Sequence, residues 1–127
     1  MLSFSVEFVK GLPLYEQLVY NVKKAILSGQ LRPGDPFPSV RQLSAELRIN
    51  PNTAQKAVAA MQQEALLRVI PGKGTVIANR LPASRGQRQE LLGKDVERLV
   101  VDAKRLSLGL EELQQAIAHH WRRLGKP

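Results

Sequence analysis

The side chains best suited to directional contact lie between positions 41 and 74. Asn50, Asn52 and Thr53 surround a proline at position 51, and Gln55 and Lys56 follow within the next turn. An Asn or Gln amide offers a donor and an acceptor side by side, which matches the edge of adenine; a Thr can touch a base, a thymine methyl or a phosphate. Arg41 lies upstream, and Lys73 stands downstream between Gly72 and Gly74. These groups suit a surface that meets a polyanion. No catalytic set accompanies them. His119 and His120 are adjacent, so on a helix they project about 100° apart, and neither a convergent carboxylate nor a third ligand joins them. One is expected to pack near Trp121 and the other to be exposed. Glu111 and Glu112 read as a solvated first turn, favoured by the helix dipole. Gly72-Lys73-Gly74-Thr75 has the composition of a phosphate-binding loop but the wrong spacing and a strand after it. No metal and no cofactor are expected.

Composition supports the polyanion reading. Nineteen Lys and Arg against eleven Asp and Glu give the 127-residue chain a net charge of +8, and a folded domain this basic is expected to meet DNA, RNA or an anionic membrane. With 43% hydrophobic residues a core can be buried. The chain has no cysteine, which excludes a disulfide framework and a thiolate metal site and suits a reducing cytoplasm. No apolar run approaches the length of a membrane span, and the first residues lack the pattern of a signal peptide.

Periodicity then supplies the elements that position these groups. Phe4, Val6 and Phe8 share one parity, as in a short strand or extended arm. Tyr15, Leu18, Val22 and Ile26 form a helical stripe, stopped at Gly29. Pro33-Gly34 suits the centre of a type II turn. A second helix starts at Ser39, spaced from Gln42 as in a capping box, with Val40, Leu43 and Leu47 inward. A third starts at Asn50-Pro51, a good cap followed by a proline at the first helical position. Its inner stripe is Ala54, Ala57, Val58 and Met61, and it runs to about Leu66. Only Arg48-Ile49-Asn50 separates the two helices, a helix-turn-helix connection. Leu67 to Ile70 and Thr75 to Ala78 flank Pro71-Gly72-Lys73-Gly74 as a hairpin, which makes the unit a winged helix.

The string IxSGxLxPGxxxPSxRxLxxxLxINPNTxxxAxxxMxxExLxxxxPGKGTxI, here Ile26 to Ile77, resembles the winged-helix module of the GntR family. The Pro-Leu-Tyr-Glu-Gln start, the Asn-Pro-Asn-Thr helix start and the short helical tail are similar to its YtrA-type subfamily. The resemblance implies a transcription regulator that binds double-stranded DNA as a homodimer, most often a repressor on a palindromic operator and often beside transporter genes. It places DNA contacts at Arg41, Asn50, Asn52, Thr53, Gln55 and Lys56, and at the wing tip Gly72, Lys73 and Gly74; Arg68 and Arg80 flank the wing. Two positions depart from the wider family pattern. Arg48 stands where a glycine is common in the turn, which demands strain or another turn geometry. Pro51 stands where an arginine often reads bases.

Asn79 to Gln87 reads as a linker between a DNA-binding domain at 1–80 and a helical tail at 81–127. In the tail Leu92, Val96, Leu99, Ala103 and Leu106 recur in heptad-like steps. Gly109 then breaks the helix, and a last helix turns Leu110, Leu113, Ile117, Trp121 and Leu124 inward. The fold class is therefore mainly α with a small β-hairpin: a winged helix-turn-helix followed by a two-helix dimerisation tail, with Leu92, Val96, Leu99, Ala103, Leu106, Leu113, Ile117 and Trp121 as the dimerisation residues. The tail is too short for a large effector domain, though a small-molecule effector stays open. A non-specific DNA-coating nucleoid protein is the competing function; an enzyme or small-molecule carrier lacks pocket chemistry.

Overall fold

A computed structural model describes residues 2–79 and 84–124, which fall into two compact units on either side of residues 80–83. The expected domain boundary at residue 80 lies outside the described residues.

The first unit begins with an extended arm. Phe4 is buried while Val6 and Phe8 are half-buried, so the alternation holds, but the arm pairs with no strand. Helix α1 follows (Leu14–Leu27), then α2 (Val40–Leu47), α3 (Pro51–Gln63) and the antiparallel strands β1 (Leu67–Ile70) and β2 (Gly74–Ile77). The core is assembled from one face of each: Leu18 and Val22 of α1, Leu43 of α2, Met61 of α3 and Ile77 of β2, closed by Leu31 from the loop. Ala54 and Ala57, both fully buried, let the backbone of α3 lie close against its neighbours. Phe4 stacks on Phe37 with ring centres 5.7 Å apart, which ties the arm to the wing side of the core.

The arm is fastened by a polar residue that the hydrophobic stripe passes over. Gln17 is only 7% exposed. Its amide nitrogen donates to the carbonyls of Val9 and Leu12, each at 2.9 Å, and its oxygen accepts from the Val9 N–H at 2.8 Å. Every amide function is therefore used, as burial requires.

The wing is wider than a hairpin. Arg32 to Asp35 form a turn closed by the Asp35 N–H donating to the Arg32 carbonyl, with Gly34 at φ +89°, as Pro33-Gly34 foretold. The chain then runs alongside β2: Gly34 N–H donates to Ile77 O, Ile77 N–H to Asp35 O, and Phe37 N–H to Thr75 O, with Pro36 opposite Val76. The segment 34–37 therefore flanks β2 through an isolated antiparallel bridge. At the tip, Lys73 N–H donates to the Ile70 carbonyl around Pro71 and Gly72, and Gly72 has φ +80°. A type II turn takes that conformation at its third residue.

The second unit differs from expectation in four respects. Its first helix is α4 (Arg85–Glu90), running through a π-helical turn (Leu91–Asp95) into α5 (Val96–Arg105). The proposed linker thus ends by Ser84, which caps α4 in a reciprocal capping box with Gln87; at Ser39 only the serine's half of such a box forms. The wider π turn takes in Leu92 and ends just before Val96, so the heptad seam is not one unbroken α-helical register. The break after α5 falls at Ser107, at φ +61° with Leu108 N–H donating to Ala103 O. Gly109 instead begins α6 (Leu110–Leu124), its N–H donating to the Glu112 carboxylate. Finally, Leu110, Ile117 and Trp121 are exposed rather than inward, with only Leu113 and Leu124 half-buried. Ala103 is the one buried side chain described in this unit, because its helices carry apolar stripes without a layer to cover them. His119 and His120 are both exposed, their rings edge to face at 5.3 Å, so neither packs inward.

Gln17→Ala is expected to lower the free energy of unfolding by about 1–3 kcal/mol, since it removes three part-buried hydrogen bonds that fasten the arm. Urea titration checks the stability, and faster amide exchange at Val9 identifies the released arm.

Candidate nucleic-acid interface

The backbone of the α2–α3 turn is held from one residue. Ile49 N–H donates to the Ser44 carbonyl at 3.2 Å, and the Ser44 hydroxyl donates to the Ile49 carbonyl at 2.7 Å. Between them Arg48 takes the left-handed conformation, φ 55° and ψ 47°, so the turn keeps the geometry that suits glycine, at some strain. Asn50 then opens α3, its side-chain oxygen accepting from the Asn52 N–H at 2.7 Å, with Pro51 in the first turn.

This start fixes which side chains of α3 face out. Ala54, Ala57, Val58 and Met61 are buried, while Asn52, Gln55 and Lys56 are exposed on the opposite side, as a period of 3.6 residues dictates. Thr53 lies between, half-buried, and Asn50 is exposed but committed to its capping bond. Lys56 places its ammonium 4.2 Å from the centre of the Tyr15 ring on α1, a cation–π contact of the order of 0.5–1 kcal/mol on an exposed surface. Neighbouring Glu16 holds the Tyr15 phenol above its ordinary titration range. Periodicity alone gave no sign of this pairing.

Arg41 is exposed in the first turn of α2, which contains no acidic residue, and it forms no ion pair among the described residues. A cation there opposes the helix dipole, so the chain itself does not account for its placement. At the wing tip Gly72, Lys73 and Gly74 are all exposed. Arg68 is exposed on β1 and Arg80 lies outside the described residues. The first unit therefore carries Arg41, the outer side of α3 and the wing tip on elements packed around one core: α2 and β1 both pack against α3, and β1 pairs with β2. Ser44, Gln17 and the bridge from Pro36 to β2 were not identified from sequence: the first two bind backbone five to eight residues away in no recognised motif, and the third forms only when the chain folds back. Among the described residues no group of three or more His, Asp or Glu could hold a metal ion, and no helix is long and apolar enough to cross a membrane.

The tail residues divide differently. Leu92, Val96, Leu99, Leu106, Ile117 and Trp121 are exposed, Leu113 is half-buried and Ala103 is buried. Leu99 is 43% and Trp121 78% exposed, a large apolar area open to solvent in a single chain.

Known proteins share this arrangement. Residues 14–77 match the family described as bacterial regulatory proteins, gntR family. The HTH-type transcriptional repressor YtrA of Bacillus subtilis (strain 168) is 31% identical over 110 residues, 86% of this chain and 81% of the relative. The crystal structure of a transcriptional antiterminator from Listeria monocytogenes EGD-e is similar with a TM-score of 0.84 at 25% identity, covering 98% of this chain and 95% of that one. AraR(DBD) in complex with operator ORX1 has a TM-score of 0.52 at 25% identity, over 59% of this chain and 96% of its own.

Asn50→Ala is expected to lower stability by about 1 kcal/mol through loss of the α3 cap, and Asn50→Asp to restore most of it. Chemical denaturation of the three proteins measures both effects.

Proposed function

The chain belongs to the GntR family of bacterial regulatory proteins, and from that premise we propose that it is a sequence-specific DNA-binding transcription regulator, a repressor acting as a homodimer on a palindromic operator. The observation that carries this reading is the outward face of α3, where Asn52, Gln55 and Lys56 stand exposed beyond a capped, rigidly held helix start. A helix of this kind docks in the major groove with its N-terminal residues at base edges. Asn52 and Gln55 would read bases, and Thr53 would contact a base or phosphate. Arg41 would neutralise a phosphate, as would Lys73 on the glycine-flanked wing tip. Lys56 reaches the same groove only by leaving, or sharing, the Tyr15 ring. The operator complex of the AraR domain, a protein similar in fold and sequence, supports this docking mode.

The exposed apolar stripes of α5 and α6 supply the reason for pairing. One chain leaves Leu99, Leu106, Ile117 and Trp121 in water, and burying them against a second copy removes that penalty. Two copies related by a two-fold axis would present α3 twice and match a palindrome. The protein would then act in the cytoplasm, on the nucleoid, as the cysteine-free sequence suits.

Fragments selected from the source genome provide the operator for mobility-shift competition. Unrelated DNA is expected to compete poorly; equal competition would leave only non-specific coating of DNA. Arg41→Ala and Thr53→Ala are each expected to weaken operator binding by roughly tenfold with thermal unfolding unchanged. Wild-type affinity in both variants would remove these residues from the interface. Leu99→Glu is expected to give monomers in sedimentation velocity, because a carboxylate would be buried unpaired at the seam; a persisting dimer would place the contact elsewhere.

A further inference from the structure

We propose that Arg48 is an additional DNA-contacting residue, whose guanidinium binds a phosphate beside the start of α3; this rests on the DNA-binding reading above. Arg48 holds a left-handed backbone at φ 55° and ψ 47°, a conformation that disfavours every residue with a Cβ and that Gly or Asn takes more readily. Left-handed backbone does not by itself single it out, since Ala65 and Ser107 adopt it at the ends of α3 and α5. What distinguishes Arg48 is a charged side chain that the fold does not use. That side chain is exposed and forms no ion pair or hydrogen bond among the described residues, while the backbone N–H donates to the Ser44 carbonyl.

Its place is as informative as its charge. It stands two residues before the Asn50 cap, inside the turn whose next residue, Ile49, is pinned twice by Ser44. The backbone that carries the guanidinium is thus fixed relative to the helix that would enter the groove, and little ordering is left to be done on binding. Arg41 and Arg48 lie near opposite ends of α2, roughly 10 Å apart along its axis, so they would meet different phosphates. An outlier of this kind, strained and without an internal partner, is a reason to look for function outside the chain. A phosphate is the acceptor that fits a planar, permanently charged fork on a surface turn. Such a contact adds affinity without reading sequence.

The test pairs two variants whose backbone effects differ. Arg48→Gly removes both the charge and the strain; Arg48→Gln removes the charge and keeps a Cβ in the left-handed turn. Each is titrated, with the wild type, against a labelled duplex carrying the selected operator and against a mixed-sequence duplex of equal length, over a range of salt. Both variants are expected to bind both duplexes several-fold more weakly at about 0.1 M salt, with the slope of log K against log salt reduced by about 0.9, the value of one phosphate contact. Arg48→Gly is also expected to melt about 2–5 °C higher than the wild type, on the scale by which relieved strain raises Tm in a domain of this size. Tighter folding with weaker binding is a combination that a purely structural turn residue cannot produce. Wild-type affinity and slope in both variants overturn the proposal while the wild type still binds DNA. Failure of the wild type to bind either duplex overturns the DNA-binding reading, and this proposal with it.

Discussion

The presented face of α3 depends on how one short turn is tied. Ser44 grips Ile49 through both of that residue's backbone groups, and this closes the chain reversal between α2 and α3 over a left-handed residue. A turn made from backbone bonds alone leaves the departing helix more freedom about its first residues. Here the donor and the acceptor of one peptide position are both used, and the next residue, Asn50, is already engaged as a cap. The direction of α3 is therefore set before any tertiary packing is counted. Packing then holds it: the two inner alanines bring α3 close, and Met61 and Leu43 fill the space between.

The remaining parts of the first unit brace that arrangement from outside. Gln17 folds the leading arm back over α1, and Phe4 on that arm stacks against Phe37 beside the wing. An apolar contact and a set of polar ones thus anchor a segment with no secondary structure of its own. The two mechanisms are complementary, since the stacked rings supply area and the amide supplies direction.

Much of this was legible from residue order, and the exceptions have several causes. The start of α3 could be read because capping is a contact over two or three residues, and the wing tip because Pro71-Gly72 specifies its own turn. The outward residues Asn52, Gln55 and Lys56 followed from helical period. What could not be read were side-chain bonds that follow no capping or periodic pattern, and contacts that form only once the chain has folded back. Gln17 looks like an ordinary polar residue until the carbonyls of Val9 and Leu12 are brought to it. The bridge from 35–37 to β2 is hidden by Pro36, which argues against strand, and by the turn just before it. Ser84 and Gln87 form a full capping box, but no apolar run follows at once to mark a helix. In the tail, periodicity showed which residues share a stripe and not whether one chain could cover it, so Trp121, expected to turn inward or anchor a dimer, is exposed in the single chain.

Pro36 has a bearing on how the molecule behaves in a crowded solution. It lies in the segment that bridges the outer side of β2, in the pair whose own backbone groups point away from β2. At that position an ordinary residue would hold out an N–H to any passing extended chain. Proline has none, and its ring obstructs the approach. The rim of the small sheet is thereby blunted against edge-to-edge stacking with other copies.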